Sequence, residues 1–362
     1  MSAARSHLAA IAAAPRPAGS AAEATAREYC AATLRAAGFE VRQREFEYSA
    51  FPGKWGTPLF GIGMAALMLV AAREGALGSG GRALAILVAG AVVLSACGRW
   101  LGRRGVLELP FARARTSNLE ATRGAPTLWI VAHLDSKSQP IPIVVRALAI
   151  IASLIFLGVA MGVAVAQVVV PMPPFVWYAL ATIELFVALP VMASVVGAHS
   201  AGALDNASGV ATVLRAAELL PRDVAIGVMI TGGEELGLVG ARAWAREAKA
   251  TSAINLAPLS AINIDGVDDT GELRLIYSGR LPSVLVTMLG GAWPAPRRLV
   301  PGVLMDGVAL SDAGWDVVNV SKGSWRTVSR IHTPRDDLAH LEGSGAEEVA
   351  TLLAGAIEAS RH

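Results

Sequence analysis

The sequence predicts an α/β fold, with a mainly parallel mixed sheet covered by helices on both faces and a four-helix transmembrane part formed by two inserted hairpins. Three observations predict it. Short apolar runs alternate with segments of helical period through the second half of the chain, the pattern of strands buried between helices. Two other stretches each hold a pair of long uncharged runs separated by turn residues. Residues able to carry chemistry follow the ends of the predicted strands, where an open α/β sheet places its ligands.

The uncharged stretches account for the composition. Of 362 residues, 54% are apolar and only 17% charged, against about 25% charged in a soluble domain. Residues 55–72 and 83–98 carry no charge and are separated by Arg73, Glu74 and a turn at Ser79-Gly80-Gly81. At 18 and 16 residues they sit at the lower edge of what crosses a bilayer. The second stretch is longer. No charge occurs over 147–183, and Pro171, Pro173 and Pro174 divide it into apolar segments 147–170 and 175–198. A soluble core helix has no need of that length without a polar face, so 147–198 reads as a transmembrane hairpin and the lipid bilayer as a partner. Glu184, about ten residues into the second segment, either faces the bundle interior or marks a late helix start.

The remaining elements read in order as a helix over 19–37 closed by Gly38, an exposed strand over 40–48 and a strand over 127–132. A helix over 206–220, a strand over 224–230 and a helix over 237–249 follow. Strands over 259–264, 273–277 and 317–320 precede a closing helix over 345–360. The apolar stretch 8–14 is too short and too weakly apolar for a secretory signal. Cys30 and Cys97 are too few for a disulfide framework, lack metal-site spacing and are expected to be buried thiols. The net charge of +2 and the absence of a basic run with interleaved aromatics argue against a nucleic-acid partner.

Five segments carry the chemistry: His133-Leu134-Asp135, Gly202 to Gly209 around Asp205, Thr231 to Gly237 around Glu234-Glu235, Asn263-Ile264-Asp265-Gly266, and Ile331 to Asp337 around His332. Imidazoles and carboxylates suit zinc, and a catalytic zinc keeps a position open for water. Two histidines and three acids exceed one catalytic zinc but suit two ions sharing a carboxylate. Adjacent side chains at a strand end diverge, so one acid of the Glu-Glu pair is free to act as a base. Asp135 is placed to orient His133 through its second nitrogen. Each segment alone has an ordinary structural reading, such as a helix N-cap at Asp205 or a turn at Asp265-Gly266. All five would have to imitate one site together.

HLDS, GALDNASG, GGEELGLVG, NIDG and IHTPRDD, in that order, resemble the bacterial leucine-aminopeptidase family of co-catalytic zinc exopeptidases, which also includes glutamate carboxypeptidases and glutaminyl cyclases. PRPAGS near the N-terminus and Ser311-Asp312 also fit its pattern, and the resemblance covers about 1–50, 106–137 and 200–357. It implies a zinc exopeptidase-like fold and two zinc ions per chain. By the resemblance, His133, Asp205 and Asp265 bind one zinc, and Asp205 bridges to a second that Glu235 and His332 complete. Glu234 is then the general base and Asp135 the outer partner of His133. A cis peptide is expected at Asp205-Asn206. His199 and His340 belong to no motif.

The resemblance implies a discontinuous peptidase domain over 1–54, 99–146 and 199–362, interrupted by hairpins 55–98 and 147–198. The chain departs from the family in the 71 residues between His133 and Asp205, where a short loop is usual. Eight Lys and Arg residues flank the apolar segments on the catalytic side and only Arg73 and Arg82 lie on the other, which predicts a cytoplasmic catalytic domain. The expected activity is a membrane-anchored aminopeptidase acting on peptide substrates. The alternatives are a glutaminyl cyclase-like relative, a carboxypeptidase using Arg326, Arg330 or Arg335 as a carboxylate clamp, and a non-catalytic membrane scaffold.

Overall fold

The computed structural model describes residues 2–251, 259–300 and 302–361. The chain divides into two compact units, one of residues 1–49, 112–138 and 198–362 and one of 50–111 and 139–197.

The first unit is built on an eight-stranded sheet of β1 (Glu40–Ser49), β2 (Arg113–Arg123), β3 (Leu128–His133), β4 (Ile226–Thr231), β5 (Ser260–Val267), β6 (Glu272–Tyr277), β7 (Arg297–Arg298) and β8 (Asp316–Gly323), in the spatial order β1-β2-β4-β3-β5-β8-β6-β7. The four central strands β4, β3, β5 and β8 are parallel, while β1 and β2 on one flank and β6 on the other run antiparallel to their inner neighbours. The sheet is therefore mixed, with the expected parallel order confined to its centre. β4 is buried along its whole length, as a strand covered on both faces must be. On one face, helices Ala3–Ile11, Ser208–Leu219 and Ser344–Ala359 supply Leu8, Val213 and Leu353 to a core shared with Ile130, Val228 and Ile262. On the other, Trp244 of helix Val239–Thr251 lies between Trp129 of β3 and Trp315, with ring centroids 4.9 and 4.7 Å away. Such edge and tilted pairs add about 0.5–1.5 kcal/mol each beyond their burial.

Strand β2 escapes the sequence reading. Its sequence, RARTSNLEATR, has almost no apolar alternation, yet it is mostly buried and is zipped to both β1 and β4. Its polar side chains and backbone find partners from elsewhere in the chain. Thr116 donates to Glu23, Arg27 donates to the Ser117 carbonyl (3.0 Å), and Asn118 joins Gly240 and Gly232. Those pairings remove the cost of burying polar groups, and nothing local announces them.

The second unit is a bundle of four helices, Phe51–Ala76, Gly80–Trp100, Ile143–Gln167 and Pro174–Met192, each long and apolar enough to cross a membrane. The first two exceed their uncharged runs because Lys54, Arg73 and Arg82 are taken up within the helices near their ends. The last is shorter than expected and stops at Met192, shortly after Pro190. The bundle interior uses small residues, Ala71, Ala72, Ala83, Ala160 and Ala164, around Met68, Leu87 and Trp177, the composition that lets apolar helices approach closely. Val93, Ile155, Phe175 and Phe186 point outward. Glu184 is buried in the middle of its helix, so it faces protein and does not mark a late start. Cys30 is buried, but Cys97 is exposed: an apolar run in such a bundle has an outward face, and burial of that thiol does not follow from it.

Candidate metal centre

The C-terminal ends of the parallel strands converge. β3 ends at His133 and β5 carries Asp265 near its end. β4 leads through Gly232 and Gly233 into a single 3₁₀ turn, Glu234–Leu236. Asp205 lies in a kinked turn just before helix Ser208–Leu219, entered through Gly202 at φ 57°, a left-handed conformation that glycine adopts freely. The Asp205-Asn206 peptide is cis. His332 follows helix Trp325–Arg330 at φ 63°, a conformation uncommon outside glycine and found at sites the surrounding structure over-determines.

These six residues form two groups in which a metal ion could be held: His133, Glu234 and Asp265, and Asp205, Glu235 and His332, with ligand atoms in each within 4.8 Å of one another. Asp205 also joins them, since its Oδ1 is 3.1 Å from His133 Nε2 and its Oδ2 is 3.1 Å from His332 Nε2. Glu235 Oε1 lies 3.2 Å from His332 Nε2, and Asp265 Oδ1 lies 3.7 Å from His133 Nε2. Glu234 Oε2 is 3.9 Å from the same nitrogen. Asp205 and Asp265 keep some exposure, while His133, Glu234 and Glu235 are buried, so the site opens past the two aspartates.

The surroundings fix these side chains. The Asp135 carboxylate accepts the backbone N–H groups of Glu234 (3.0 Å) and Glu235 (3.2 Å). His133 Nδ1 faces the Asp135 carbonyl oxygen at 3.1 Å, with the carboxylate farther away at 3.6 Å. The Asp135 backbone carbonyl is thus the nearer partner of the imidazole, while its carboxylate also reaches the ring and accepts from the turn that carries the two glutamates. Asp336 accepts the N–H groups of Leu204 (2.6 Å) and Asp205 (3.2 Å). Asn206 donates to the Ile264 carbonyl and accepts from Gly209 and Gly266, tying the Asp205 turn to β5. Arg16, fully buried, donates to the carbonyls of Leu134, Ala201 and Gly202.

Several of these residues were not singled out by the sequence. Asp336 had a visible signal, the first acid in IHTPRDD, and Arg16 lies in PRPAGS. Asp306 had none. It is buried, its side chain accepts from the Thr231 hydroxyl, and its charge is felt by Glu234. The Ser311-Asp312 pair lies a helical turn and more beyond it, where Asp312 faces Arg242 and the Ser311 hydroxyl donates to the Ser278 carbonyl. The acid that this helix supplies to the centre is Asp306. Of the candidate clamp arginines, Arg330 is tied to Asp268 and to the His340 carbonyl, and Arg326 and Arg335 are exposed. His199 and His340 are exposed as well.

Concentrated acid dominates the electrostatics. Burial raises the pKa of Glu234 well above the ordinary carboxylate range, and Glu235, Asp265 and Asp306 push it further, with His133 opposing. Burial acts on Glu235 in the same direction, but Lys137 and His332 outweigh it and hold the group low. Burial also opposes the Asp205 charge, and hydrogen bonds from both histidines reverse that effect. Asp306 and Asp336 are each raised to about 7, mainly by burial. Such a cluster needs cations, and Glu235 Oε1 is buried without a hydrogen-bond partner among the described residues. The donor set of imidazole and carboxylate fits zinc.

The sequence signature of Peptidase family M28 matches residues 117–357. The chain belongs to this peptidase family. Its fold is that of zinc aminopeptidases and glutaminyl cyclases. The glutaminyl cyclase of Fimbriiglobus ruber superposes with a TM-score of 0.56 at 15% identity, over 98% of this chain and 93% of that one. A zinc aminopeptidase from Bacillus subtilis gives 0.54 at 14% identity, over 99% and 94%. An aminopeptidase from Aneurinibacillus sp. strain AM-1 gives 0.53 at 17% identity, over 98% and 92%. No curated protein sequence matches the chain. As an M28 chain it is a zinc peptidase-like hydrolase by family, and its two ligand groups lie within the matched region.

Proposed function

We propose that this M28 chain is a membrane-anchored exopeptidase, most simply an aminopeptidase, that uses two zinc ions. The observation carrying the reading is Asp205, whose two oxygens each stand 3.1 Å from a different histidine. His133 and Asp265 would hold one ion, Glu235 and His332 the other, and Asp205 would serve both. When bound, zinc supplies Lewis-acid polarisation of a scissile carbonyl and makes water a nucleophile at neutral pH. Glu234 takes the proton of the attacking water at its carboxylate and passes it to the leaving amine. Its raised proton affinity beside an ionised Glu235 supports that division of roles. Asp135 holds both glutamates through their backbone N–H groups. The engagement of Arg330 by Asp268 and the His340 carbonyl weighs against that residue as a carboxylate clamp.

The anchoring half of the proposal rests on the four apolar helices, with the catalytic unit cytoplasmic by the Lys and Arg asymmetry. The test is release of amino acids from a peptide library by the purified full chain, alongside cyclisation of N-terminal glutamine. Activity abolished by chelation, restored by zinc, and lowered about 10²–10⁴-fold by Glu234→Gln is expected. Full activity of that variant, or chelator-insensitive activity, refutes the mechanism; cyclisation without hydrolysis refutes the aminopeptidase assignment. Protease access to a tagged N-terminus from outside intact cells refutes the orientation.

A further inference from the structure

Lys137 lies two residues beyond Asp135 and is largely withdrawn from solvent. Its Nζ stands 2.6 Å from Glu235 Oε2 and 3.4 Å from the Glu235 carbonyl oxygen. The other carboxylate oxygen, Oε1, faces His332 Nε2 at 3.2 Å, inside the group that Asp205 completes. The two oxygens of one acid are thus given to different partners. Among the described residues, no other Lys or Arg forms an ion pair with any of the six residues of the two groups.

Burying a lysine here is expensive. The side chain gives up about 1.5–2 kcal/mol of rotamer freedom and its ammonium loses hydration. It also places a positive charge against a group suited to a cation. Neutralising the acid cluster would not require contact with a particular oxygen, whereas this contact divides the carboxylate. A carboxylate with both oxygens free can chelate an ion through both. One whose Oε2 is engaged by an ammonium has only Oε1 to offer, which leaves a coordination position for the reacting groups, as a catalytic site requires.

We propose that Lys137 is a positioning residue that makes Glu235 a one-oxygen metal ligand by occupying Oε2 with its ammonium. This rests on the metal reading above and specifies how one ligand in it is presented. The test is cobalt(II) loading of the purified full chain and of Lys137→Met, Lys137→Gln and Lys137→Arg, followed by visible absorption of the bound ion. In Lys137→Met and Lys137→Gln, the released oxygen adds to the ion, and the d–d absorption per bound cobalt drops toward that of a higher-coordinate ion. Lys137→Arg, which also fills Oε2, retains the wild-type spectrum. Per-cobalt spectra identical across the four proteins, with or without tighter binding in the uncharged variants, overturn the inference and reduce Lys137 to a neutralising charge. A spectrum in Lys137→Arg that matches Lys137→Met also overturns it. Failure of the wild-type chain to bind cobalt or zinc overturns the metal reading itself, and that outcome is separate from the others.

Discussion

Replacing Arg16 by methionine should loosen the metal centre without touching a ligand. The guanidinium is 1% exposed and makes four contacts of 3.0 Å or less: Nε to the Leu134 carbonyl, Nη1 to those of Ile11 and Ala201, and Nη2 to that of Gly202. Leu134 adjoins His133, and Gly202 opens the turn that carries Asp205. Burial lowers the Arg16 pKa only to about 10, so the group is charged at neutral pH and its bonds are charge-assisted. Methionine fills part of the volume and leaves these carbonyls without their donor, at about 1–3 kcal/mol for each one that stays dry. Water entering the gap recovers part of this, and about 3–5 kcal/mol is the expected cost, the usual range for breaking a buried charged network. At roughly 2–4 °C per kcal/mol for a unit of 150–250 residues, the first unit should melt about 6–20 °C lower. The assay is thermal denaturation of the zinc-loaded full chain with a zinc-affinity measurement in parallel. Arg16→Lys, which keeps charge but not the planar fork, should fall between the two. A melting point within about 2 °C of wild type, well below the shift these costs imply, together with unchanged zinc affinity, would refute the claim that Arg16 braces the site.

Three further outcomes are expected. The Glu23 carboxyl is raised to about 6 by burial and by Asp135, so between the unfolded value of 4.5 and about 6 the folded state binds the extra proton. The stability associated with this group is present below that window and lost as pH rises through it, about 2 kcal/mol in all. Glu23→Gln should flatten the fall, and a pH–stability curve parallel to wild type would count against it. In the bundle, a Cβ on Gly75 would lie 2.1 Å from Trp177 Cε2, while Gln167 accepts from the Trp177 indole and donates to the Gly75 carbonyl. Gly75→Ala should cost at least about 1–3 kcal/mol through overpacking, seen as a lower melting point in detergent; an unchanged one would show that the helices do not pack this closely. Cys30, its thiol pushed up to about 12 by burial, should resist a water-soluble maleimide at pH 8 until the chain is unfolded; rapid labelling of the native protein would contradict its placement.

The six residues of the candidate metal centre were legible because each stands in a local pattern that ends a strand or starts a helix. His133, Asp205, Glu234, Glu235, Asp265 and His332 could be named without coordinates, and the uncharged runs exposed the four long helices for a similar reason. Residues that act by crossing the fold were not legible. Asp306 comes from a helix whose nearest motif pointed to Asp312, and β2 is buried by hydrogen bonds to Glu23, Arg27 and Gly240. Tertiary structure alone decided that Asp205 faces both histidines, that Asp135 supports the glutamate turn more closely than the imidazole, and that Lys137 takes one oxygen of Glu235. The sequence by itself determined which side chains and which apolar runs exist, because periodicity and strand ends are local properties. Which oxygen meets which partner depends on chain segments as much as 186 residues apart at this site, and only the assembled sheet brings them within hydrogen-bonding distance.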